Sequence, residues 1–451
     1  MATDPGSMAP DVDKSDPMVT KLLESVDNLY LTRDKFFPVD PMERSERLQR
    51  EVDEVLKLLS STLPPEKRVS SLERATYEYL RGKILDVFPE HCKEAEDHLS
   101  KAIKLNPFIQ DAWLCLGNCL WKKGELAAAK NCLLLALNKA FLLCFDQSCF
   151  MLSQFSLSFL QGREKRILCL LSMLERKIAE GTENPLELVE ESIGHAKEAV
   201  MLDIKDGSSW HTLGNSYFVS FFVGGTQDEE KLKHALKAYA NAEKDESMKT
   251  NSDLHFNKAI LDQFMEKYDA ALSGFEAAAL QNPSLNADKN IEKIIKVLDK
   301  LNDSVTNQGH LKPHRIASMV EALRKTTVNI PYTMATLNLL RDGKNNGMAV
   351  LGKVMVFIRL PFTSLPYFLL CDSDGTFFIL SLYALSSNGV KNGDTVTLLN
   401  PNCRVIDFSW KGKEYRFKSI RVDRLGNILV NGSPPHSDHV RPMAIHTKHI
   451  A

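Results

Sequence analysis

Apolar residues recur every three or four positions over most of the chain up to about residue 326, a spacing that predicts amphipathic helices. The pattern starts at Met18, and a second predicted helix covers about Met42–Leu63 before Pro64-Pro65 ends it. From Met348 the period changes to two, and the residues become β-branched and aromatic. The chain is therefore predicted to be mainly α, with a small all-β domain at its C-terminal end.

The stretch 111–136 has the spacing of the tetratricopeptide repeat, a hairpin of two helices. The residues at the repeat positions are Trp113, Leu116, Gly117, Ala129, Leu133 and Ala136. Gly117 permits close approach by the second helix, and Lys122-Lys123-Gly124 ends the first helix with a basic turn and a glycine. Because one hairpin cannot bury its apolar face alone, further copies are expected on both sides.

Less regular copies of the hairpin flank this stretch. Tyr77–Pro107 is a degenerate repeat, and Ile167–Ile178 with Leu186–Met201 forms another. A clear repeat begins at Trp210, but its second helix starts late, so a protruding loop that contains Phe221, Phe222 and Gly224-Gly225 is expected. These copies predict an α-solenoid over residues 18–286.

The last hairpin of the solenoid, 253–283, departs from the repeat pattern in its first helix. His255, Lys258 and Ala259 stand where Trp, Leu and Gly are expected. Polar residues at these positions indicate either a groove that binds a ligand or an atypical repeat that caps the solenoid.

Residues 141–161 interrupt the repeats with an apolar insertion that carries one charge, Asp146. A membrane span is conceivable by length, but Gln and Ser residues make the segment a poor one. Phe, Leu, Ser and Cys are also what a pyrimidine-rich intron end encodes, so the segment is interpreted as retained intron. Transcripts with continuous exon reads across both edges would contradict this hypothesis.

The C-terminal region predicts a small closed β-barrel of the OB-fold type over residues 348–432. The candidate strands are Val350–Leu360, Tyr367–Cys371, Thr376–Leu385, Thr395–Leu399, Arg404–Trp410, Glu414–Val422 and Asn427–Val430. Residues 287–326 are predicted to form capping helices with a basic turn, and residues 327–347 a linker. The ends, 1–17 and 433–451, are rich in polar residues and predict disorder.

The predicted barrel raises the question of nucleic-acid binding. Aromatic and basic residues alternate at one edge, which would suit stacking on bases and contacts to phosphates. They are Trp410, Lys411, Lys413, Tyr415, Arg416, Phe417 and Lys418. The same alternation describes any half-buried strand, so both interpretations stay open.

Composition adds few constraints. The net charge of −2 favours no particular partner, and the nine cysteines lie mostly on apolar helical faces, as expected of free thiols in a reducing compartment. No signal peptide, phosphate-binding loop, nucleophile elbow or metal-ligand set is evident. We therefore expect a cytoplasmic and nuclear protein that is not an enzyme and needs no cofactor or metal.

The order of these elements resembles the tetratricopeptide repeat protein 5 family, also called Strap, from Leu22 to Gly432. Short stretches carry the resemblance: Val26-Asp27-Asn28-Leu29-Tyr30, Leu171-Ser172-Met173, Leu213-Gly214-Asn215 and Asp253-Leu254-His255. The resemblance implies an adapter whose repeat groove reads the Met-Arg-Glu start of nascent tubulin at the ribosome and promotes tubulin mRNA decay. It implies alternatively a nuclear stress-response cofactor that scaffolds a histone acetyltransferase coactivator.

The resemblance also implies site residues. Arg176 matches the groove arginine that would meet the peptide's Glu, and Asp253 matches the acidic residue that would meet its Arg. Asn215 and Lys258 complete the predicted groove. Lys312, His314 and Arg315 match a basic turn that contacts the ribosome, where His replaces a lysine. A receptor that clamps a terminal carboxylate would want Lys and Asn on the groove face, whereas the full repeat has Leu114 and Cys115 there.

Overall fold

The computed structural model describes residues 17–38, 40–145, 154–225 and 228–440. Fourteen α-helices lie in these ranges. They are α1 (Pro17–Lys35), α2 (Pro41–Thr62), α3 (Ser71–Leu85), α4 (Lys93–Leu105), α5 (Gln110–Lys123), α6 (Leu126–Phe145), α7 (Gln154–Ala179), α8 (Pro185–Leu202), α9 (Gly207–Val223), α10 (Glu229–Ala242), α11 (Ser252–Phe264), α12 (Tyr268–Gln281), α13 (Ala287–Thr306) and α14 (Pro313–Arg324).

Nine β-strands follow the helices in the described residues. They are β1 (Thr333–Ala335), β2 (Gly343–Lys344), β3 (Met348–Ile358), β4 (Tyr367–Asp372), β5 (Phe377–Leu382), β6 (Thr395–Leu399), β7 (Asn402–Trp410), β8 (Lys413–Val422) and β9 (Ile428–Val430). The described chain divides into two compact units, and the division falls within α11 and α12. The first unit comprises the described residues up to Asn257 with Ala278–Leu285, and the second comprises Lys258–Ala277 and the residues from Asn286 onward.

The first unit is built from helical hairpins that pack at the predicted glycines. A Cβ added at Gly117 would lie 3.0 Å from the Leu133 side chain, and one at Gly214 would lie 2.5 Å from the Tyr239 ring. The indole N–H groups of Trp113 and Trp210 each donate to the carbonyl six residues earlier, at 2.9 Å. The repeat spacing read from the sequence is thus confirmed in atomic detail.

Two features of the first unit differ from the prediction. Part of the segment expected to protrude as a loop is instead the last turn of α9, where Phe221 and Phe222 are buried and their rings meet edge to face at 5.0 Å, whereas Gly224 and Gly225 follow the helix as turn residues. These aromatic side chains are too apolar to leave in water, so the helix continues and buries them. Helix α7 also begins at Gln154, well before the predicted start at Ile167.

The predicted insertion, 141–161, is only partly described. Phe141–Phe145 belong to α6 and Gln154–Gln161 to α7, while residues 146–153 lie outside the described residues. Whether the segment belongs to the mature protein stays a hypothesis. No helix of the described residues is long and apolar enough to cross a membrane.

The strands of the second unit form a single sheet in the order β2-β7-β8-β5-β4-β3-β6-β9, with β1 parallel to β3. Strands β3, β4 and β5 form an antiparallel meander, and β5 pairs with β8 in parallel. All seven predicted strands are present. The barrel was predicted to be closed, and this is wrong. The pairing of the described strands ends at β2 on one side and at β9 on the other, so the sheet is open.

Two predicted boundaries of the second unit are wrong. The expected linker, 327–347, contributes β1 and β2, and it buries Leu337 and Leu340 in the core of the sheet. The expected disordered tail begins with ordered residues, since Ser386 donates its amide N–H to the His439 carbonyl at 2.8 Å and Val440 bridges to Leu385. Residues 1–16 and 441–451 lie outside the described residues.

Candidate functional site

Arg176 is the centre of a buried polar layer in the first unit. Its side chain is 1 % exposed, between α7, α8 and α9. The Nη1 group donates to the hydroxyls of Ser172 at 3.0 Å, Ser216 at 2.7 Å and Ser192 at 3.4 Å. Those hydroxyls also bond one another at 2.9 to 3.0 Å. The three serines thus fix one end of the guanidinium.

The rest of the Arg176 guanidinium has no partner within the described part of the chain. Nε and Nη2 are buried and make no hydrogen bond there. The adjacent carboxylate, Glu175, pairs instead with Lys130 at 3.0 Å and His195 at 2.9 Å. Burial lowers the pKa of Arg176 to about 10, so the group stays charged at neutral pH. A buried cation with two free donors in one plane is suited to a carboxylate, which offers two acceptors.

A pair of amides continues the polar layer. Asn215 accepts from the Tyr239 hydroxyl at 2.7 Å and from Asn257 Nδ2 at 3.1 Å, which leaves Asn257 Oδ1 buried and without a partner in the described residues. His211 contacts Asn257 at 3.4 Å. Burial, with a smaller effect of the Arg176 charge, lowers the pKa of His211 to about 4, so this ring is neutral at pH 7.

The predicted groove residues occupy different surroundings. Arg176 bonds to Ser216 and Asn215 bonds to Tyr239, and all four residues are buried in the first unit. Asp253 is exposed in the first turn of α11, and half-buried Lys258 falls in the second unit. Asp253 thus lies at the surface, while Arg176 lies inside the fold.

Several residues of this layer were not predicted as site residues from the sequence. They are Ser192, Ser216, His211, Tyr239 and Asn257. The available signal is the presence of small polar residues on helical positions that otherwise carry apolar ones, such as Ser192 and Ser216, both 0 % exposed. Such a residue buried in a repeat indicates a polar partner, but the sequence does not say which.

The Glu175–His195 pair beside this layer predicts a dependence of stability on pH. The hydrogen bond to Glu175 raises the pKa of His195 against the opposing effects of burial and of the Lys130 charge, and Glu198 adds to the rise. Because the folded-state pKa lies above the unfolded value of about 6.5, the stabilisation is fully present below that pH and is lost as pH rises through the folded pKa.

We therefore expect His195→Gln to lower the melting temperature by a few degrees at pH 5.5 and by less as pH rises above neutrality. The measurement is thermal unfolding of both proteins over a pH series. Because His211 acts in the opposite direction below about pH 6.5, only the difference between the two proteins is interpreted. An equal difference at every pH would contradict the assignment.

The predicted ribosome-contacting residues lie at the start of α14. Lys312 precedes the helix, Pro313 is its first residue, and His314 and Arg315 follow in the first turn. All four are exposed, and the turn contains no acidic residue. The positive end of the helix dipole adds to the two permanent charges, so this surface is suited to anions.

The edge of the β domain for which nucleic-acid binding was left open is partly buried. Tyr415 and Phe417 are 1 % and 5 % exposed, so they are not available to stack on bases. Tyr415 donates its hydroxyl to Asp299 of α13 at 2.8 Å. The basic neighbours also have partners, since Lys411 pairs with Glu276 at 2.9 Å and Lys413 with Asp299 at 2.6 Å. Burial and these pairs count against stacking by Tyr415 and Phe417, and nucleic-acid binding by the β domain stays an open interpretation.

A helical corner covers the same sheet at β5 and β8. Glu266, between α11 and α12, accepts from Ser381 at 2.7 Å and from Ser419 at 3.0 Å, and it is 2 % exposed. The Arg421 guanidinium stacks on the Tyr383 ring at 3.6 Å and pairs with Asp423 at 2.7 Å. The central strands, on which OB-folds commonly bind ligands, are therefore occupied by the chain itself.

The described residues contain no group of His, Cys, Asp and Glu that could hold a metal ion. Cys115 and Cys119, one helical turn apart in α5, are free thiols, and burial raises the pKa of each to about 12. Such thiols are protonated at neutral pH and poorly reactive.

Comparison with known proteins places this geometry in a family. The model of the "Tetratricopeptide repeat protein 5 OB fold domain" matches residues 331–444. The chain is 35% identical to human (Homo sapiens) tetratricopeptide repeat protein 5 over 95% of its own length and 96% of that protein. It is 33% identical to the proteins of the same name from Mus musculus and Bos taurus, with the same shares covered.

Proposed function

The chain belongs to the tetratricopeptide repeat protein 5 family, and we propose on that premise that it is a non-catalytic adapter for a peptide. In this proposal the first unit recognises the Met-Arg-Glu start of nascent tubulin at the ribosome and promotes tubulin mRNA decay. Neither the matching family model nor these relatives indicate a catalytic family.

The observation that carries the proposal is the half-paired guanidinium of Arg176. Its Nε and Nη2 donors are buried without a partner in the described residues, which costs free energy in the unliganded protein. The Glu carboxylate of the peptide would accept from both donors and would neutralise the buried charge. The unpartnered Oδ1 of Asn257 could accept a peptide N–H, with Asn215 holding its other end.

The remaining groups have roles that follow from their exposure. Asp253 would pair with the Arg side chain of the peptide from the surface of α11, and Lys258 would contribute a charge in the same helix. Lys312, His314 and Arg315 would contact ribosomal RNA through their exposed charges. The protein would work in the cytoplasm and, in an additional role, in the nucleus.

The test is binding of a fluorescein-labelled peptide that begins Met-Arg-Glu to the full chain, followed by fluorescence anisotropy. We expect a Met-Arg-Gln peptide to bind roughly 30-fold more weakly or worse, because its amide cannot neutralise a buried cation. Asp253→Ala should weaken the Met-Arg-Glu peptide, whereas Asp269→Ala, at the matching place in the first turn of α12, should not.

Equal affinity for the two peptides would contradict recognition of the Glu by Arg176. Absence of binding by either peptide would sink the tubulin proposal and favour the nuclear cofactor that scaffolds an acetyltransferase coactivator.

A further inference from the structure

A cavity of about 450 Å³ lies within the second unit, beside the β sheet. One side of α13 lines it with Lys296, Asp299, Lys300 and Asp303, and the chain directly after β3 lines it with Arg359–Phe362. None of these residues belongs to the polar layer of the first unit. The cavity lies at the connection between the first two strands of the OB meander, a place where such folds often bind ligands.

The charge available to a ligand in this cavity is positive. The two acidic residues already have partners, since Asp299 accepts from Tyr415 and Lys413 and Asp303 accepts from Asn307 Nδ2 at 2.6 Å. Among the described residues, neither Lys300 nor Arg359 makes an ion pair, although both are exposed. These cations are therefore free to meet an anionic group without first breaking an internal contact.

An apolar wall stands next to the free cations. Phe362 is 39 % exposed, and Pro361 beside it is also exposed, while Leu360 is buried below them. An exposed aromatic ring within a concave site is a common anchor point for an apolar side chain of a partner.

From this arrangement we propose that the cavity binds a short acidic peptide segment of a partner protein, anchored by one large apolar side chain. The anchor packs on Phe362 and Pro361. Carboxylates before or after it pair with Lys300 and, in bidentate fashion, with the Arg359 guanidinium. The cavity is large enough for one or two side chains, so the rest of the segment lies along α13. The adapter would in this way hold a second partner.

The chemistry of the lining favours a peptide over a single-stranded nucleic acid. Lys300 and Arg359 are two separate cations that match the one or two carboxylates of a short segment, whereas a nucleic-acid backbone carries a charge at every nucleotide and follows a continuous basic groove. Phe362 is the single large aromatic residue among those that line the cavity, so the lining offers no row of rings on which successive bases could stack. A peptide supplies N–H donors to the carboxylates as well as acceptors to the cations.

The experiment selects a phage library of short random peptides on the full chain and counter-selects it on a Lys300→Glu, Arg359→Glu double variant. We expect the recovered sequences to be enriched in Asp and Glu around a large apolar residue. A recovered peptide, labelled with fluorescein, should then bind about tenfold more weakly to the double variant and to Phe362→Ala. Lys289→Glu, the same charge change elsewhere on α13, should alter its affinity less than about twofold.

Recovery of no peptide that distinguishes the wild type from the double variant would overturn the proposal. So would displacement of the recovered peptide by oligouridine at lower concentration than by its own unlabelled copy, which would assign the cavity to nucleic acid. Circular dichroism of each variant checks its fold. Failure here leaves Met-Arg-Glu binding by the first unit unaffected, because the two experiments involve different residues.

Discussion

Replacing Arg176 by methionine is expected to raise the stability of the protein and to abolish binding of the Met-Arg-Glu peptide. Methionine fills a similar volume without burying a charge or the two unsatisfied N–H groups of the guanidinium. The three serines keep partners after the change, because their hydroxyls bond one another and Ser216 donates to the Thr212 carbonyl at 3.0 Å. Exchange of a buried charged group for an apolar one is often stabilising, by about 1–4 kcal/mol.

The expected loss of binding is larger than this gain in stability. Truncating one partner of a buried, hydrogen-bonded charge pair typically costs about 2–5 kcal/mol, which corresponds to a loss of affinity of roughly 30-fold to several thousandfold. Arg176→Lys should bind poorly as well, because an ammonium keeps the charge but loses the planar pair of donors. A binding site that lowers the stability of the protein predicts this combination, in which the same substitution raises stability and weakens peptide binding.

Thermal unfolding and peptide anisotropy on the same preparations measure both effects. The matched control is Lys177→Met, which removes the charge of the next residue along α7, one that lies at the surface with a pair to Glu180 at 2.7 Å. It should change neither quantity appreciably. A lower melting temperature together with retained peptide binding in Arg176→Met would show that the arginine serves the fold instead of the ligand.

The sequence predicted most elements because their periodicity is local. Trp113 and Gly117 at repeat spacing determined a hairpin, and seven alternating segments determined seven strands within a few residues of their observed bounds. Periodicity also failed in an informative way at Phe221 and Phe222, where the position of the next repeat suggested a loop. The side chains there are apolar and become buried, so hydrophobic burial decided the outcome over repeat spacing.

The parts that were missed depend on contacts between residues far apart in the chain. Strands β1 and β2 are too short to show alternation, and they exist because β3 and β7 offer edges to pair with. Burial of Tyr415 was not predictable, since an alternating strand looks the same whether its outer face meets water or α13. The burial of Arg176 was also missed, because it depends on Ser192 and Ser216 of other helices, and its role in binding stays a prediction.

The second large effect is expected for Glu266→Ala, which should destabilise the second unit by about 3–5 kcal/mol. This carboxylate accepts hydrogen bonds from two buried hydroxyls, those of Ser381 and Ser419. Both hydroxyls would lose their acceptor in the variant. Burial disfavours the charge of Arg421, and Glu266 is one of the groups, after Tyr383 and Asp423, that oppose this effect and raise its pKa; the variant would remove that contribution. Glu266 further adopts a left-handed backbone, with φ of 58°, a cost that its contacts offset in the native fold.

Hydrogen exchange at the amides of β5 and β8 measures this effect in the full chain without assuming that both units unfold together. A loss of 3 kcal/mol corresponds to about 100-fold faster exchange where the amides open with the unit. Glu276→Ala provides the control, because within the described residues that carboxylate makes a surface pair with Lys411, and such pairs contribute less than about 1 kcal/mol. If both variants exchanged at the wild-type rate, the corner at Glu266 would be a passive contact, and the sheet would owe its stability to its apolar core alone.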